Sequence, residues 1–292
     1  MISLRTDYIG RIKQLDKAWA RATSKLSPPL SYPDTLGFKP LRELIAEEHG
    51  VEANQILITN SATEAIHLLA ASLQIFIPPN SFFGALRQPN SIQRQADAIY
   101  VNSIQHSTTA TTLSLEKLYE IKEGWPVTVF DNPYILLATK ALRKIHHGTY
   151  TIGSFSKIFG PGLRTGYIIA REENIQALKS AHISMSLSAS LPAQELVYHM
   201  WNSLDIIRDI RHTQLKEGTK WLRNLGFNTP EPVAGLHTSI QLESTAIPEE
   251  VQPYIQVPRG QATTKVSIPI NISSQKRERL KKSLKILAKH LL

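Results

Sequence analysis

The feature of this sequence that most constrains its fold is a set of short apolar runs that end in small, hydroxylated or charged residues. The clearest run covers residues 149–152 and continues as Gly153-Ser154-Phe155-Ser156-Lys157. A loop rich in glycine follows, and a second apolar run covers residues 167–170. This pattern predicts a strand, a loop and a strand, with the polar groups at the end of a sheet. Open α/β sheets bind their ligands at such ends.

The polar groups of this loop suit a ligand that carries both a phosphate and an aldehyde. The hydroxyls of Ser154 and Ser156 can donate to phosphate oxygens, and the guanidinium of Arg164 matches them as a planar fork. The amine of Lys157 can form a Schiff base with an aldehyde. The alternative interpretation is that Lys157 and Arg164 are surface cations beside a flexible loop.

Two further apolar runs end in the same way. Residues 55–59 lead into Asn60-Ser61-Ala62-Thr63-Glu64, which opens a helix. The backbone N–H groups and dipole of such a helix start suit a phosphate, although Ser61 or Thr63 as an ordinary helix cap explains the segment equally well. Residues 127–130 end on Asp131, which is followed by Asn132-Pro133-Tyr134. An aspartate at this place is either a turn residue or an acid for ligand chemistry.

The complete spacing resembles one enzyme family. Ser-Phe-Ser-Lys followed by Gly-Pro-Gly-Leu-Arg-x-Gly-Tyr, over residues 154–167, closely resembles the lysine motif of class I/II aminotransferases, the fold-type I pyridoxal-phosphate (PLP) enzymes. The resemblance covers about residues 32–270. It implies an α/β fold with a mostly parallel central sheet flanked by helices and a small α/β C-terminal domain. We expect an N-terminal arm at 1–30, a large PLP-binding domain at 31–225 and the small domain at 226–292.

The resemblance also implies roles for individual residues. Lys157 would carry PLP as a Schiff base and move the substrate proton as base and acid. Asp131 would keep the pyridine nitrogen protonated so that the ring can take up electrons, and Tyr134 would donate to the phenolic oxygen. The residues implied for the phosphate are Ala62, Thr63, Ser154, Ser156 and Arg164.

Two aromatic positions add to the implied site. Tyr32-Pro33-Asp34, followed by Gly-x-x-x-Leu-Arg at 37–42, is similar to a segment of the histidinol-phosphate aminotransferase branch. There the tyrosine reaches the phosphate of the other subunit, so the resemblance implies a homodimer with a shared active site. An ordinary turn tyrosine is the alternative for Tyr32. A ring that stacks on the pyridine is expected at Phe82 or Phe83, with Phe83 preferred, and a core role is open for both.

The sequence departs from the family pattern at two functional positions. Ser107 stands where the family has an asparagine that contacts the cofactor, so Ser107 or His106 substitutes for it or the contact is missing. Lys265 stands where the family has an arginine that binds the substrate carboxylate. Because lysine lacks the planar fork, Arg259 is an alternative partner for that carboxylate.

The resulting hypothesis is a PLP-dependent aminotransferase. It would move an amino group between an amino acid and a 2-oxo acid. A related amine, including a phosphorylated amine, is also open as the amino donor. A PLP-dependent decarboxylase or lyase on the same scaffold is the alternative, and so is a PLP-binding protein that has lost catalysis.

Composition limits the other function classes. The chain of 292 residues has no cysteine and no apolar run of about eighteen residues, so we expect a cytoplasmic protein without a membrane partner. The net charge is +9, and basic residues cluster at 276–282. Leucines at helical spacing lie on the other side of that segment, so the basic residues form the polar face of an amphipathic terminal helix. We therefore expect no nucleic-acid partner. The histidines lack metal-ligand spacing, so no metal is expected.

Overall fold

The structure, a computed structural model, describes residues 12–78, 81–82, 85, 96–104, 112–229, 231, 233–241, 265–269, 278 and 282, with the backbone alone at 238–241 and 265–269. The helices of these ranges are α1 Lys13–Thr23, α2 Lys39–His49, α3 Ala62–Ser72, α4 Leu115–Gly124, α5 Lys140–Ile145, α6 Glu172–Ser186, α7 Leu191–Met200 and α8 Leu204–Asn224. The strands are β1 Ile56–Thr59, β2 Ile75–Phe76, β3 Ala98–Val101, β4 Val127–Asp131, β5 Tyr150–Ser154, β6 Gly166–Ala170, β7 His237–Gln241 and β8 Lys265–Pro269.

Six of these strands form one twisted sheet with the order β1-β6-β5-β4-β3-β2. Neighbours from β2 to β5 pair in parallel, whereas β6 runs antiparallel to both β1 and β5. The C-terminal ends of β1, β4 and β5 therefore meet at one edge of the sheet, together with the first residue of β6. The predicted α/β architecture with a mostly parallel sheet is confirmed.

Helices cover both faces of this sheet, as a parallel sheet requires. Alternate residues of β1 point to opposite faces, so Ile56 and Ile58 join one core and Leu57 joins the other. The first core is completed by residues of α1, α2, α7 and α8, and the second by residues of α3 and α6. The sequence from Glu172 to about Leu225 is mostly helical in character, and this region is present as α6, α7 and α8.

A second, two-stranded sheet lies near the C-terminus. Its strands β7 and β8 pair antiparallel, with His237 opposite Pro269 and Gln241 opposite Lys265. The sequence predicts strands at residues 236–242 and 265–270, which agree with β7 and β8, and a third strand at 254–257, which lies outside the described residues. Within the described part of the chain, no helix is long and apolar enough to cross a membrane.

Candidate active site

The sheet places three of the predicted polar segments at one edge. Gly166, the first residue of β6, pairs with Thr59 at the end of β1 and with Ser154 at the end of β5. Asp131 ends the next strand, β4, and pairs with Ile152. The start of α3, the Lys157 loop and Asp131 therefore lie side by side, because four neighbouring strands begin or end there.

The first component of this edge is the N-terminal turn of α3, which the strand β6 approaches closely. Ser61 is the N-cap of α3, and its side-chain oxygen accepts from the backbone nitrogen of Glu64 at 3.4 Å. Its backbone has a φ of 110°, a region that favours glycine. The backbone N–H groups of Ala62 and Thr63 belong to the first turn, where no helical carbonyl accepts from them. This turn can therefore bind an anion such as a phosphate.

The second component is the loop that carries Lys157. Ser154 and Ser156 are buried, and the backbone nitrogen of Ser156 donates to Ser154 Oγ at 3.2 Å. Lys157 is half-buried, and its Nζ atom lies 5.6 Å from the centroid of the Tyr134 ring. Arg164 is exposed, has a φ of 50°, and donates from Nη1 to the carbonyl of Pro161 at 3.3 Å. The loop thus holds an amine and two hydroxyls at the sheet edge.

The third component is Asp131, whose carboxylate is 3% exposed. Its Oδ2 atom accepts a short hydrogen bond from the hydroxyl of Tyr100 and another from Asn102 Nδ2 at 3.3 Å. Asn102 Nδ2 also donates to the main-chain oxygen of Asp131 at 3.0 Å. The other carboxylate oxygen, Oδ1, is buried and has no hydrogen-bond partner among the described residues. A buried acceptor of this kind fits a donor on a bound ligand.

Burial controls the ionisation of Asp131. Loss of solvation raises the pKa of the Asp131 carboxyl to about 6, against the hydrogen bonds from Tyr100 and Asn102 and the positive charge of Lys157, which lower it. The pKa of the Tyr100 hydroxyl is well above its usual range, mainly because of burial and then because of the negative charge of Asp131. Tyr100 therefore stays neutral and remains a donor to the carboxylate.

Tyr134 connects this edge to the small sheet. It is 2% exposed and directly precedes a short 3-10 helix, Ile135–Leu137. Its ring meets the ring of His237 edge-on, with centroids 6.1 Å apart and an interplanar angle of 84°. The hydroxyl oxygen of Tyr134 lies 3.5 Å from His237 Nδ1. His237 is 4% exposed and begins β7.

Sequence reasoning did not identify three residues of this site, namely Tyr100, Asn102 and His237. A sequence signal was present for Asn102, because it is a polar residue directly after the apolar run of β3. Tyr100 and Asn102 are two residues apart and both reach Asp131. No local pattern marks His237, since its partner Tyr134 is 103 residues away in the chain.

The remaining predicted site residues are distributed as follows. Phe82 is half-buried and packs against the core on the α3 side of the sheet. Lys265 begins β8, and Tyr32 is 82% exposed in this chain. The residues Phe83, His106, Ser107 and Arg259 lie outside the described ranges.

Comparisons with known proteins agree with this arrangement. Residues 82–225 match the family model of aminotransferase class I and II. The chain is 27% identical over 214 residues to a 2-aminoadipate transaminase of Thermus thermophilus. This alignment covers 59% of this chain and 54% of that protein. It is 24% identical over 235 residues to the HTH-type transcriptional regulator NorG of Staphylococcus aureus, and this alignment covers 64% of this chain and 52% of the regulator. The chain thus spans about half the length of the curated relatives it matches.

Solved structures share the fold over almost the whole chain. One is LysN, the α-aminoadipate aminotransferase of Thermus thermophilus, complexed with N-(5'-phosphopyridoxyl)-L-leucine. Its superposition on this chain has a TM-score of 0.73 with 19% identity and covers 97% of this chain and 90% of the LysN chain. The kynurenine aminotransferase of Pyrococcus horikoshii has a TM-score of 0.75 and 16% identity, with 97% and 88% covered. From the family match over residues 82–225, the lysine motif and the shared fold, we conclude that this part of the chain is similar to the class I and II aminotransferases and that the chain has the fold of the fold-type I group.

Proposed function

We propose that this protein binds PLP covalently through Lys157 and transfers amino groups between amino acids and 2-oxo acids. The observation that carries the proposal is the buried Oδ1 atom of Asp131, which has no partner among the described residues and lies at the same sheet edge as Lys157. A protonated pyridine nitrogen is a donor that this oxygen can accept from. The relatives named as aminotransferases support the choice of reaction.

The residues at the sheet edge fit the separate parts of PLP. The first turn of α3, at Ala62 and Thr63, would hold the phosphate together with Ser154, Ser156 and Arg164. Asp131 would accept from the ring nitrogen, and Tyr134 would donate to the phenolic oxygen. The amine of Lys157 would hold PLP through its aldehyde carbon as a Schiff base, with the aldehyde oxygen leaving as water. Bound PLP would supply an electron sink for the substrate's Cα.

Lys157 would do the proton chemistry of the reaction. With PLP and a substrate amine bound, the Lys157 amine would lie beside the reacting carbon. It would then take the proton from Cα as a base and return it to the cofactor as an acid. The half-buried position of Lys157 limits its contact with water, which helps to direct the proton to the cofactor. Asp131 and Tyr134 would hold the ring in register with this amine.

The substrate side of the site remains a prediction. Lys265 or Arg259 would bind the substrate carboxylate, with a single charge at Lys265 in place of the family's planar fork. Phe83 would stack on the ring, and Ser107 would stand in for the family asparagine. Solved relatives named for aminoadipate, kynurenine and aspartate make an amino acid the expected amino donor.

We also infer a cytoplasmic homodimer with domains at 1–30, 31–225 and 226–292. The 82% exposure of Tyr32 supports the dimer, because an aromatic side chain this accessible is available to a partner subunit. In the dimer Tyr32 would reach the cofactor phosphate of the partner. Small amino and keto acids are the proposed substrates, with neither nucleic acid nor a membrane as a partner.

The test of this proposal is covalent trapping. Purified protein with PLP should show a visible absorption band, and borohydride should fix the cofactor on the peptide that contains Lys157, as read by mass spectrometry. Lys157→Ala should lose the adduct, whereas Lys39→Ala, a change at an exposed lysine of α2, should retain it. An adduct at another lysine, or none in the wild type, would refute the assignment.

A second candidate, a PLP-binding protein without catalysis, is favoured by one observation. The relatives named as HTH-type transcriptional regulators match 235 residues of this chain, so a regulator carries a segment similar to it.

The decarboxylase or lyase alternative rests on Ser107 and Lys265. Single-turnover product analysis with a panel of amino acids separates the three. A keto acid with aminated cofactor indicates transfer, CO2 or an eliminated group indicates the alternative chemistry, and no reaction with any amine indicates binding alone.

A further inference from the structure

His237 is a buried polar residue that touches the active site from outside the six-stranded sheet. It is the first residue of β7, it is 4% exposed, and its Nδ1 atom lies 3.5 Å from the hydroxyl oxygen of Tyr134. The edge-on ring contact, at 6.1 Å and 84°, fixes the imidazole against the phenol. Tyr134 in turn lies beside Lys157, whose Nζ is 5.6 Å from the phenol ring centroid. The small sheet therefore reaches the Lys157 amine through two side chains.

The chemistry of this pair depends on which atom donates. Tyr134 has a single hydroxyl proton, so it can donate to one acceptor at a time. If His237 Nδ1 accepts that proton, Tyr134 has none left for a ligand. If His237 Nδ1 donates to the Tyr134 oxygen, the hydroxyl proton is directed to a second acceptor. The donated bond also polarises the hydroxyl, which makes it a stronger donor.

We propose that His237 is a positioning residue that donates from Nδ1 to the Tyr134 hydroxyl and so directs the Tyr134 proton onto the phenolic oxygen of bound PLP. This inference rests on the proposed function, because it requires PLP at Lys157. The two-stranded sheet, which carries His237, would then help to set the proton affinity of the cofactor. Lys157 itself lies in the loop between β5 and β6 of the six-stranded sheet. His237 does not contact the reacting atoms in this scheme and acts through Tyr134.

The test is a pH titration of the visible absorption band of the PLP-loaded protein. A hydrogen bond to the phenolic oxygen stabilises its negative charge. Without that bond, the oxygen attracts the proton on the nearby Schiff-base nitrogen more strongly, so the midpoint of the titration rises. We expect Tyr134→Phe to raise it by about one pH unit, a tenfold change in proton affinity. His237→Phe should raise it by roughly half a unit, because Tyr134 then keeps its hydroxyl but loses its orientation.

Two further variants separate positioning from packing. His237→Asn places an amide donor near the Nδ1 position and should return the midpoint to the wild-type value. His237→Gln is similarly polar but places its amide nearer the Nε2 position, so it should behave like His237→Phe. In the Tyr134→Phe background, His237→Phe should cause no additional shift, since the group it acts through is gone. His67→Asn, at an exposed position of α3, is the matched control and should leave the midpoint unchanged.

The outcomes distinguish this inference from the proposed function. If the wild type forms no band that borohydride fixes at Lys157, the proposed function fails and the inference fails with it. If the band forms but all His237 variants titrate at the wild-type midpoint, the inference is wrong while the proposed function stands. A shift in His237→Phe that persists in the Tyr134→Phe background would also overturn it, because His237 would then act by another route.

Discussion

Gly166 of β6 lies so close to the start of α3 that a Cβ atom at this position would be 2.5 Å from the backbone nitrogen of Ala62. The same Cβ would be 2.6 Å from the main-chain carbon of Ser61. Real Cβ atoms do not approach backbone atoms this closely, so any larger residue must push β6 and α3 apart. The candidate phosphate site therefore depends on a glycine in a neighbouring strand.

This contact predicts the effect of Gly166→Ala. Because the helix turn must move, we expect the affinity for PLP to fall at least about tenfold and the protein to lose about 1–3 kcal/mol of stability. Gly162→Ala is the matched control, since a Cβ there meets no atom within 4 Å. Titration of each apoprotein with PLP, followed by absorbance, measures the affinity. Equal affinities for the two variants would show that the close contact is not important for binding.

Ser61 provides a test of backbone strain at the same turn. With φ of 110° and ψ of 162°, it occupies a region that is open mainly to glycine. Ser61→Gly should therefore stabilise the apoprotein by about 1 kcal/mol, because the strain removed exceeds the few tenths lost with the cap. Ser61→Ala keeps the strain and loses the cap oxygen, so it should be less stable than the wild type. Urea unfolding of the three proteins gives the order, and a destabilised Ser61→Gly would contradict the argument.

Tyr100 should matter for catalysis although it does not touch the substrate. Its hydroxyl donates to Asp131 Oδ2, so Tyr100→Phe removes a donor that stabilises the carboxylate. We expect the half-reaction with an amino acid to slow by about 10-fold to 100-fold, since Asp131 then holds the ring-nitrogen proton less well. Stopped-flow absorbance measures this rate. Tyr119→Phe, at a tyrosine that is 63% exposed, should react like the wild type, and an unchanged rate in Tyr100→Phe would remove Tyr100 from the site.

Asp131 predicts a pH dependence of apoprotein stability. Burial raises the pKa of Asp131 to about 6 from its ordinary value of 3.8, so between these values the folded protein holds a proton that the unfolded chain releases. The folded state therefore loses stability as the pH rises through this window, by up to about 3 kcal/mol in total, and above about pH 6 the loss is complete.

Asp131→Asn removes the ionising group, so this loss should disappear. The variant should gain stability relative to the wild type as the pH rises from about 4 to about 6 and should keep that gain at higher pH. Urea unfolding of both apoproteins across pH 4 to 8 measures the difference. Asp97→Asn, at an exposed aspartate, should follow the wild type. Parallel curves for the wild type and Asp131→Asn would mean that the carboxylate is not destabilised by burial.

Most elements of the fold could be predicted from the sequence because their signals are local. Short apolar runs, including a further one at residues 98–101, predict β1, β3, β4, β5 and β6, each within a residue or two of the observed ends. The sequence predicts a helix from about Pro40 to Glu48 that His49-Gly50 ends, and Gly50 does end α2, with a φ of 70°, because glycine tolerates left-handed backbone. The apolar run at residues 75–78 predicts a strand of four residues, whereas β2 has two. Its apolar run continues past the last backbone pair with β3, so hydrophobicity overestimates its length.

Local sequence patterns were enough to propose the residues of the candidate site: a lysine, an aspartate, a tyrosine and hydroxyl groups, each located shortly after an apolar run. How these residues come together depends on the order of the strands in the sheet. That order is set by pairing between segments that are far apart in the chain, so it appears only in the tertiary structure. The insertion of β6 between β1 and β5 brings Gly166 against α3 and sets the first turn of that helix beside the Lys157 loop. The hydrogen bond from Tyr100 to Asp131 spans 31 residues, and the contact of Tyr134 with His237 spans 103. Contacts at such separations arise from packing between elements, which no local pattern encodes.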